Sequence, residues 1–258
     1  MAGRISAQQL AQYKRDGALF PVSALSLDDV AMFRSALEGF EAQHLDTPLK
    51  RADSLHQFFP WAYRLATHDT ILDNVEVVLG PDILIDGTVV FCKPPHDNSY
   101  VSWHQDSVYS GWHKTPTTTA WIALTVSQPF NGCMRVIPGS HKGGLVAHSN
   151  ADDCRNLLER GEFADVEIDE SRAVDVTLRP GEMSFHHCNI IHGSNPNSSN
   201  EKRIGFIVRY VTNQIEPAGR PLMRARGHAD CSHLELAQSP VGNDDQTAIE
   251  ALRAFNQC

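Results

Sequence analysis

Nowhere in the chain do apolar residues run on for the roughly 18 to 20 positions that a membrane-spanning helix needs. The first residues, Met1-Ala2-Gly3-Arg4-Ile5-Ser6, lead into polar, helix-like sequence with no apolar signal core. Membrane insertion and secretion are therefore not expected. The six cysteines, Cys92, Cys133, Cys154, Cys188, Cys231 and Cys258, are scattered and form no Cys-X-X-Cys pair. This argues against a disulfide framework and suits a reduced, cytoplasmic chain. Basic charge is also scarce. With 22 Lys and Arg against 31 Asp and Glu, the formal net charge is -9, so a nucleic-acid partner, which calls for a basic face, is not expected. No repeat, low-complexity tract or linker divides residues 1–258, and one domain is expected. A hydrophobic content of 41% with 21% charged residues is ordinary for a globular protein with a sizeable core.

Residues up to about 80 carry helix signals. Ser6 caps a predicted helix that runs to Asp16, Gly17 ends it, and Ala18-Leu19-Phe20-Pro21 follows as a short strand. Ser26 with Asp28 and Asp29 opens a second helix, in which Val30, Phe33, Leu37 and Phe40 recur at helical spacing as a core stripe. Residues 44–60 read as a loop. A third helix is predicted over 69–79, closed by Gly80-Pro81.

From Asp82 onward the pattern is that of strands: 83–85, 88–91, 117–127, 174–178, 182–187 and 204–211 are apolar, β-branched or alternating. Asn131-Gly132 and Pro138-Gly139 mark turns between them. The series predicts a mainly β, double-sheet jelly roll over about 81–213 behind flanking N-terminal α-helices. A loop-rich extension, 214–258, ends in a predicted helix over about 244–255.

The chemistry concentrates in Trp103-His104-Gln105-Asp106, in Ile191-His192-Gly193-Ser194, and in Arg203, eleven residues after His192. On an extended strand, His104 and Asp106 at i and i+2 face the same way, and a distal histidine can join them from another strand. Two imidazoles and one carboxylate that leave positions open are the ligand set of a non-haem Fe(II) oxygenase. The open positions suit a chelating 2-oxo acid and then O2. Arg203 supplies a guanidinium able to grip the far carboxylate of that acid through two parallel hydrogen bonds.

Over roughly residues 5–213 the chain resembles the phytanoyl-CoA hydroxylase family of Fe(II)/2-oxoglutarate dioxygenases. Four blocks carry the likeness: Phe91-Cys92-Lys93-Pro94-Pro95, Trp103 to Asp106, Asn131 to His141, and His192-Gly193-Ser194 with Arg203. The resemblance implies a cupin-like double-stranded β-helix, iron on His104, Asp106 and His192, and the distal carboxylate of 2-oxoglutarate on Arg203 and Ser194, with Trp121 beside the co-substrate. His186 and His187 compete with His192 for the metal, and alternation puts His186 on its face. Only His192 has an arginine at the family's spacing.

For the substrate, His56, Phe91, Lys93, Asn98, Tyr109, Trp112 and Arg209 are the candidate contacts. A buried Arg209 must either pair with an internal carboxylate or meet an anionic ligand. Loops 44–60, 94–102, 107–116 and 214–240 mix basic, amide and aromatic groups, which suits a small polar metabolite. Members of such a family hydroxylate amino acids, aminoalkylphosphonates and natural-product intermediates. Asp106 occupies the position that halide takes in halogenating relatives, whereas desaturation and epimerisation stay open. A non-catalytic cupin-like binding module is the alternative from another class, but it has no use for Arg203 and Ser194. His228, Cys231 and His233 resemble half a zinc site without a fourth ligand, and an ordinary loop is expected there.

Overall fold

The computed structural model describes residues 3–110, 115–217, 219–241 and 249–250. Helix α1 spans Ala7–Asp16, and Ser6 and Gln9 cap it reciprocally, each side chain meeting the other's backbone N–H. Gly17, at φ 78°, closes α1 in the left-handed region. After strand β1, Ala18–Ser23, the capped helix α2 runs from Leu27 to His44 and buries Val30, Phe33, Leu37 and Phe40 as its spacing requires. Strand β2, Arg51–Asp53, and helices α3, Leu55–Phe58, α4, Pro60–Ala66, and α5, Asp69–Leu79, follow.

The remaining strands are β3, Ile83–Lys93; β4, Val101–His104; β5, Thr117–Ala123; β6, Met134–Val136; β7, His148–Asn150; β8, Glu162–Ala164; β9, Val174–Asp175; β10, Glu182–His186; β11, His192–Ser194; β12, Arg203–Val211; β13, Leu222–Arg226; and β14, Leu236–Ala237. Helix α6, Ser107–Ser110, lies between β4 and β5. Eight strands form the major sheet in the order β1-β10-β5-β12-β3-β13-β14, with β2 also on β3; β4-β11-β6-β9 form a minor sheet. This is the expected jelly roll with helices on one sheet.

Alternation along β12 separates two cores. Ile204, Phe206, Val208 and Tyr210 of β12 join the cluster that contains α2, α4 and α5 side chains, including Phe33, Leu65 and Ile71. Ile207, with Trp121 and Val89, joins a second cluster with Met134 and Val136 of the minor sheet. The side chains that face the minor sheet are therefore the odd-numbered ones of β12, and Arg203 and Arg209 are among them.

Several local expectations are corrected. Residues 44–60 are not a plain loop, since β2 and α3 lie within them and α4 begins at Pro60. Pro60 stands at the first helical position of α4, where its missing N–H costs nothing. The segments 83–85 and 88–91 form one strand that continues through Asp86-Gly87, because β12 and β13 both pair along it. The strand expected over 174–178 stops at Asp175; Leu178 instead bridges to Ser127. β13 and β14 extend the major sheet within the expected C-terminal loop. The last expected helix lies largely outside the described residues, of which Ile249 and Glu250 are helical. No described helix is long and apolar enough to cross a membrane.

Candidate active site

His104 ends β4 and His192 begins β11, and the two are cross-strand partners of an antiparallel pair. Their rings therefore emerge side by side, with centroids 4.1 Å apart. Asp106, two residues beyond His104, returns to the same gap: its Oδ1 lies 3.7 Å from His104 Nε2 and 3.8 Å from His192 Nε2. One donor atom from each of the three buried residues lies within 4.8 Å of the others, the only such group among the described residues. The Nδ1 atoms of His104 and His192 lie 2.9 and 3.0 Å from the carbonyls of Ser102 and Ile190. Each contact makes Nδ1 the protonated nitrogen and leaves the Nε2 lone pair for a metal.

The other carboxylate oxygen of Asp106 is occupied from the major sheet. Thr119 Oγ1 donates to Oδ2 at 2.8 Å, and His186 Nε2 meets it at 3.1 Å. His186 thus holds the carboxylate, whereas His187 turns aside and accepts from the Asn189 N–H. Burial alone would raise the Asp106 carboxyl; the adjacent His104 imidazole, the hydrogen bond from His186 and the nearby His192 hold it well below the usual carboxylate range. Burial, with His104 alongside, pushes His192 well below the usual imidazole range. Anionic carboxylate and neutral imidazole are the ligating forms, so this donor set fits a divalent iron with positions to spare.

A second polar centre is built around Arg203, only 1% exposed at the start of β12. Its guanidinium lies 5.3 Å from the Trp121 ring centre, and Nη1 donates to the Gly132 carbonyl at 2.7 Å. Its Nε has no partner among the described residues. Gly205 makes this arrangement possible, because a Cβ there would lie 2.1 Å from Trp121 Cζ2. Burial lowers Arg203 to about 10, which keeps it charged at neutral pH. Close by, Lys93 Nζ donates to Ser194 Oγ at 2.6 Å. Burial, and then Arg203, push Lys93 well below the ordinary lysine range. A buried guanidinium with no described carboxylate on it is costly unless an anion arrives. The geometry fits the distal carboxylate of a 2-oxo diacid.

The model of the family described as phytanoyl-CoA dioxygenase (PhyH) matches residues 5–205. The chain belongs to this family. PhyH proteins are Fe(II)/2-oxoglutarate oxygenases, and the chain is 30% identical over 270 residues to an ectoine dioxygenase of Sphingopyxis alaskensis, covering 92% of this chain and 88% of that one. It is 29% identical over 188 residues to a probable alpha-ketoglutarate-dependent hypophosphite dioxygenase of Stutzerimonas stutzeri, and that match spans 69% of this chain but 63% of the relative. Among solved structures, the non-heme monooxygenase ThoJ in its apo form superposes with a TM-score of 0.78 at 30% identity, covering 96% of this chain and 94% of that one.

In this PhyH chain the triad, Arg203, Ser194 and Trp121 all open on one cavity of about 630 Å³ between the sheets. Of the substrate contacts expected from the sequence, Phe91, Tyr109 and Arg209 line it. Tyr109 donates to Glu162 Oε2 at 2.8 Å, beneath the Arg160 guanidinium. Lys93 does not line the cavity; it stands behind Ser194. His56 is fully buried on α3 against Thr88 Oγ1, 3.0 Å from Nδ1, and burial with Arg209 nearby lowers it to about 3. Asn98 is exposed and lines a separate depression beside Trp103 and Arg135. Trp112 lies outside the described residues. The cavity also takes in Arg51, Arg160 and Arg220, which the sequence reading did not single out. Thr119 was equally unexpected, although its two-residue step to Trp121 could have placed it on the same face. In the C-terminal segment, His233 Nε2 contacts the Asn213 carbonyl and Cys231 Sγ the Ala229 carbonyl, so each has a local partner.

Proposed function

We propose that the protein hydroxylates a C–H bond of a small polar metabolite, with His104, Asp106 and His192 holding Fe(II), and Arg203, Ser194 and Trp121 receiving 2-oxoglutarate. The observation that carries this reading is that the triad and the partner-seeking guanidinium of Arg203 open on one cavity. Bound there, iron with 2-oxoglutarate and O2 would supply an oxidant strong enough for an unactivated C–H bond, with succinate and CO2 as co-products.

The chain's own groups bind and aim. The Ser102 and Ile190 carbonyls fix the two imidazoles, and Thr119 and His186 hold Asp106 Oδ2 so that Oδ1 faces the gap. Arg203 and Ser194 set the co-substrate's far end, with Lys93 holding Ser194 in place. Val89, Phe91, Met134 and Ile207 give the cavity an apolar wall that limits water near the triad. Asp106 fills the position a halide would need, which favours hydroxyl transfer over halogenation. The helical layer and the roll share one core cluster, which supports a single domain.

The test is a panel of amino acids, aminoalkylphosphonates and related polar metabolites, scored by succinate release from Fe(II)-loaded protein. At least one compound should raise release about tenfold or more above the substrate-free rate and return a product heavier by one oxygen. If no compound raises it, the weight passes to a binding module; a coupled product lacking two hydrogens would assign desaturation instead.

A further inference from the structure

We propose that Arg209 anchors an oxyanion, a carboxylate or phosphonate, carried by the substrate. This rests on the oxidative reading above and names the chemistry of the molecule to be oxidised.

In the major sheet Ala18 pairs with His186, His186 with Thr119, Thr119 with Arg209, and Arg209 with Gly87. These five form one row across neighbouring strands, on the face that looks toward the minor sheet. Two of them, His186 and Thr119, hold Asp106. Arg209 is the next residue in the row, so an anion on it would stand beside the residues that carry the metal's carboxylate ligand.

The neighbouring strand is shaped around this guanidinium. Between Arg209 and Tyr210 the register of β12 with β3 slips: Arg209 opposes Gly87 and Tyr210 opposes Ile85, leaving Asp86 as the extra residue of a β-bulge. The bulge brings the Asp86 carboxylate to Arg209, whose Nε donates to Oδ2 at 3.1 Å. Gly87 then leaves room for the tip, since a Cβ there would lie 2.8 Å from Arg209 Nη2. The terminal nitrogens have no hydrogen-bond partner among the described residues, and the side chain, 22% exposed, lines the cavity.

A purely structural role as the counter-charge of Asp86 does not account for this. Arg220 already meets Asp86 Oδ1 from Nε at 2.8 Å and from Nη2 at 2.6 Å. Nor is Arg209 a second hand on the co-substrate. It stands six residues from Arg203 on the same face of β12, roughly 20 Å along an extended strand, beyond the reach of one five-carbon diacid. The cavity thus has two anion positions, one for the co-substrate and one for another molecule.

The experiment uses the full chain loaded anaerobically with Fe(II) and 2-oxoglutarate, titrated with acetate or methylphosphonate and followed by calorimetry and by the visible charge-transfer band of chelated 2-oxo acid. Saturable binding of at least one anion is expected. Arg209→Gln should weaken it about tenfold or more while leaving the band intact. That variant leaves Asp86 paired with Arg220; should it fail to fold, Gly87→Val, which crowds the guanidinium tip, should weaken binding in the same direction. Acetate alone or methylphosphonate alone binding would assign a carboxylate or a phosphonate. Absence of saturable binding of either anion, or equal affinity in the variants, overturns the proposal. Absence of the band in the unmutated protein overturns the oxidative reading instead, and calorimetry then still decides the role of Arg209.

Discussion

Alanine at His104, Asp106 or His192 should leave a folded chain that no longer retains iron. Each side chain offers one of three candidate donor atoms that lie within 4.8 Å of one another, the only such group among the described residues. Losing a partner one shell out from a metal costs about 10- to 100-fold in affinity, so loss of a ligand itself should cost more than about 100-fold. Metal content after anaerobic Fe(II) loading and gel filtration reads this directly, with one iron per chain expected for the unmutated protein. His187→Ala should keep its iron, because that ring faces the Asn189 N–H and not the triad. Iron loss in His187→Ala with retention in His192→Ala would reverse the assignment.

Arg203→Ala should retain iron and lose its hold on 2-oxoglutarate. A charge-assisted bidentate contact is worth about 2–4 kcal/mol, so the apparent affinity should fall roughly 30-fold or more. Titration of the charge-transfer band measures it. Ser194→Ala should move the same way by less, because it removes one hydroxyl and leaves the guanidinium. Unchanged 2-oxoglutarate dependence in Arg203→Ala would mean that the buried guanidinium serves another purpose.

Much of this site could be read before any fold was known, for reasons that are local. His104 and Asp106 share a face because a strand repeats every two residues, and α1 and α2 announce themselves through capping residues and an apolar stripe. What could not be read depends on contacts between distant strands. Thr119 and His186 meet Asp106 only because β5 and β10 lie side by side beneath it. Asp86-Gly87 reads locally as a break, and only pairing with β12 shows it to be a bulge that cradles Arg209. Arg51 looks like an ordinary loop cation until β2 pairs with β3 and brings it beside Phe91, its guanidinium 5.8 Å from the ring centre. His56 reads as a pocket residue because it lies in the segment from which the resembled family supplies polar groups to its site; Asp53, Ser54 and Phe58 do line the cavity, while the α3 turn sends His56 inward to Thr88.

Turnover under 18O2 tests the central claim most directly, since it asks whether this triad and Arg203 together support oxidative decarboxylation of 2-oxoglutarate. One labelled oxygen should appear in succinate from Fe(II)-loaded protein, and the signal should vanish in His192→Ala. Iron-loaded protein that consumes no 2-oxoglutarate across the metabolite panel, or that forms succinate without label, would contradict the account.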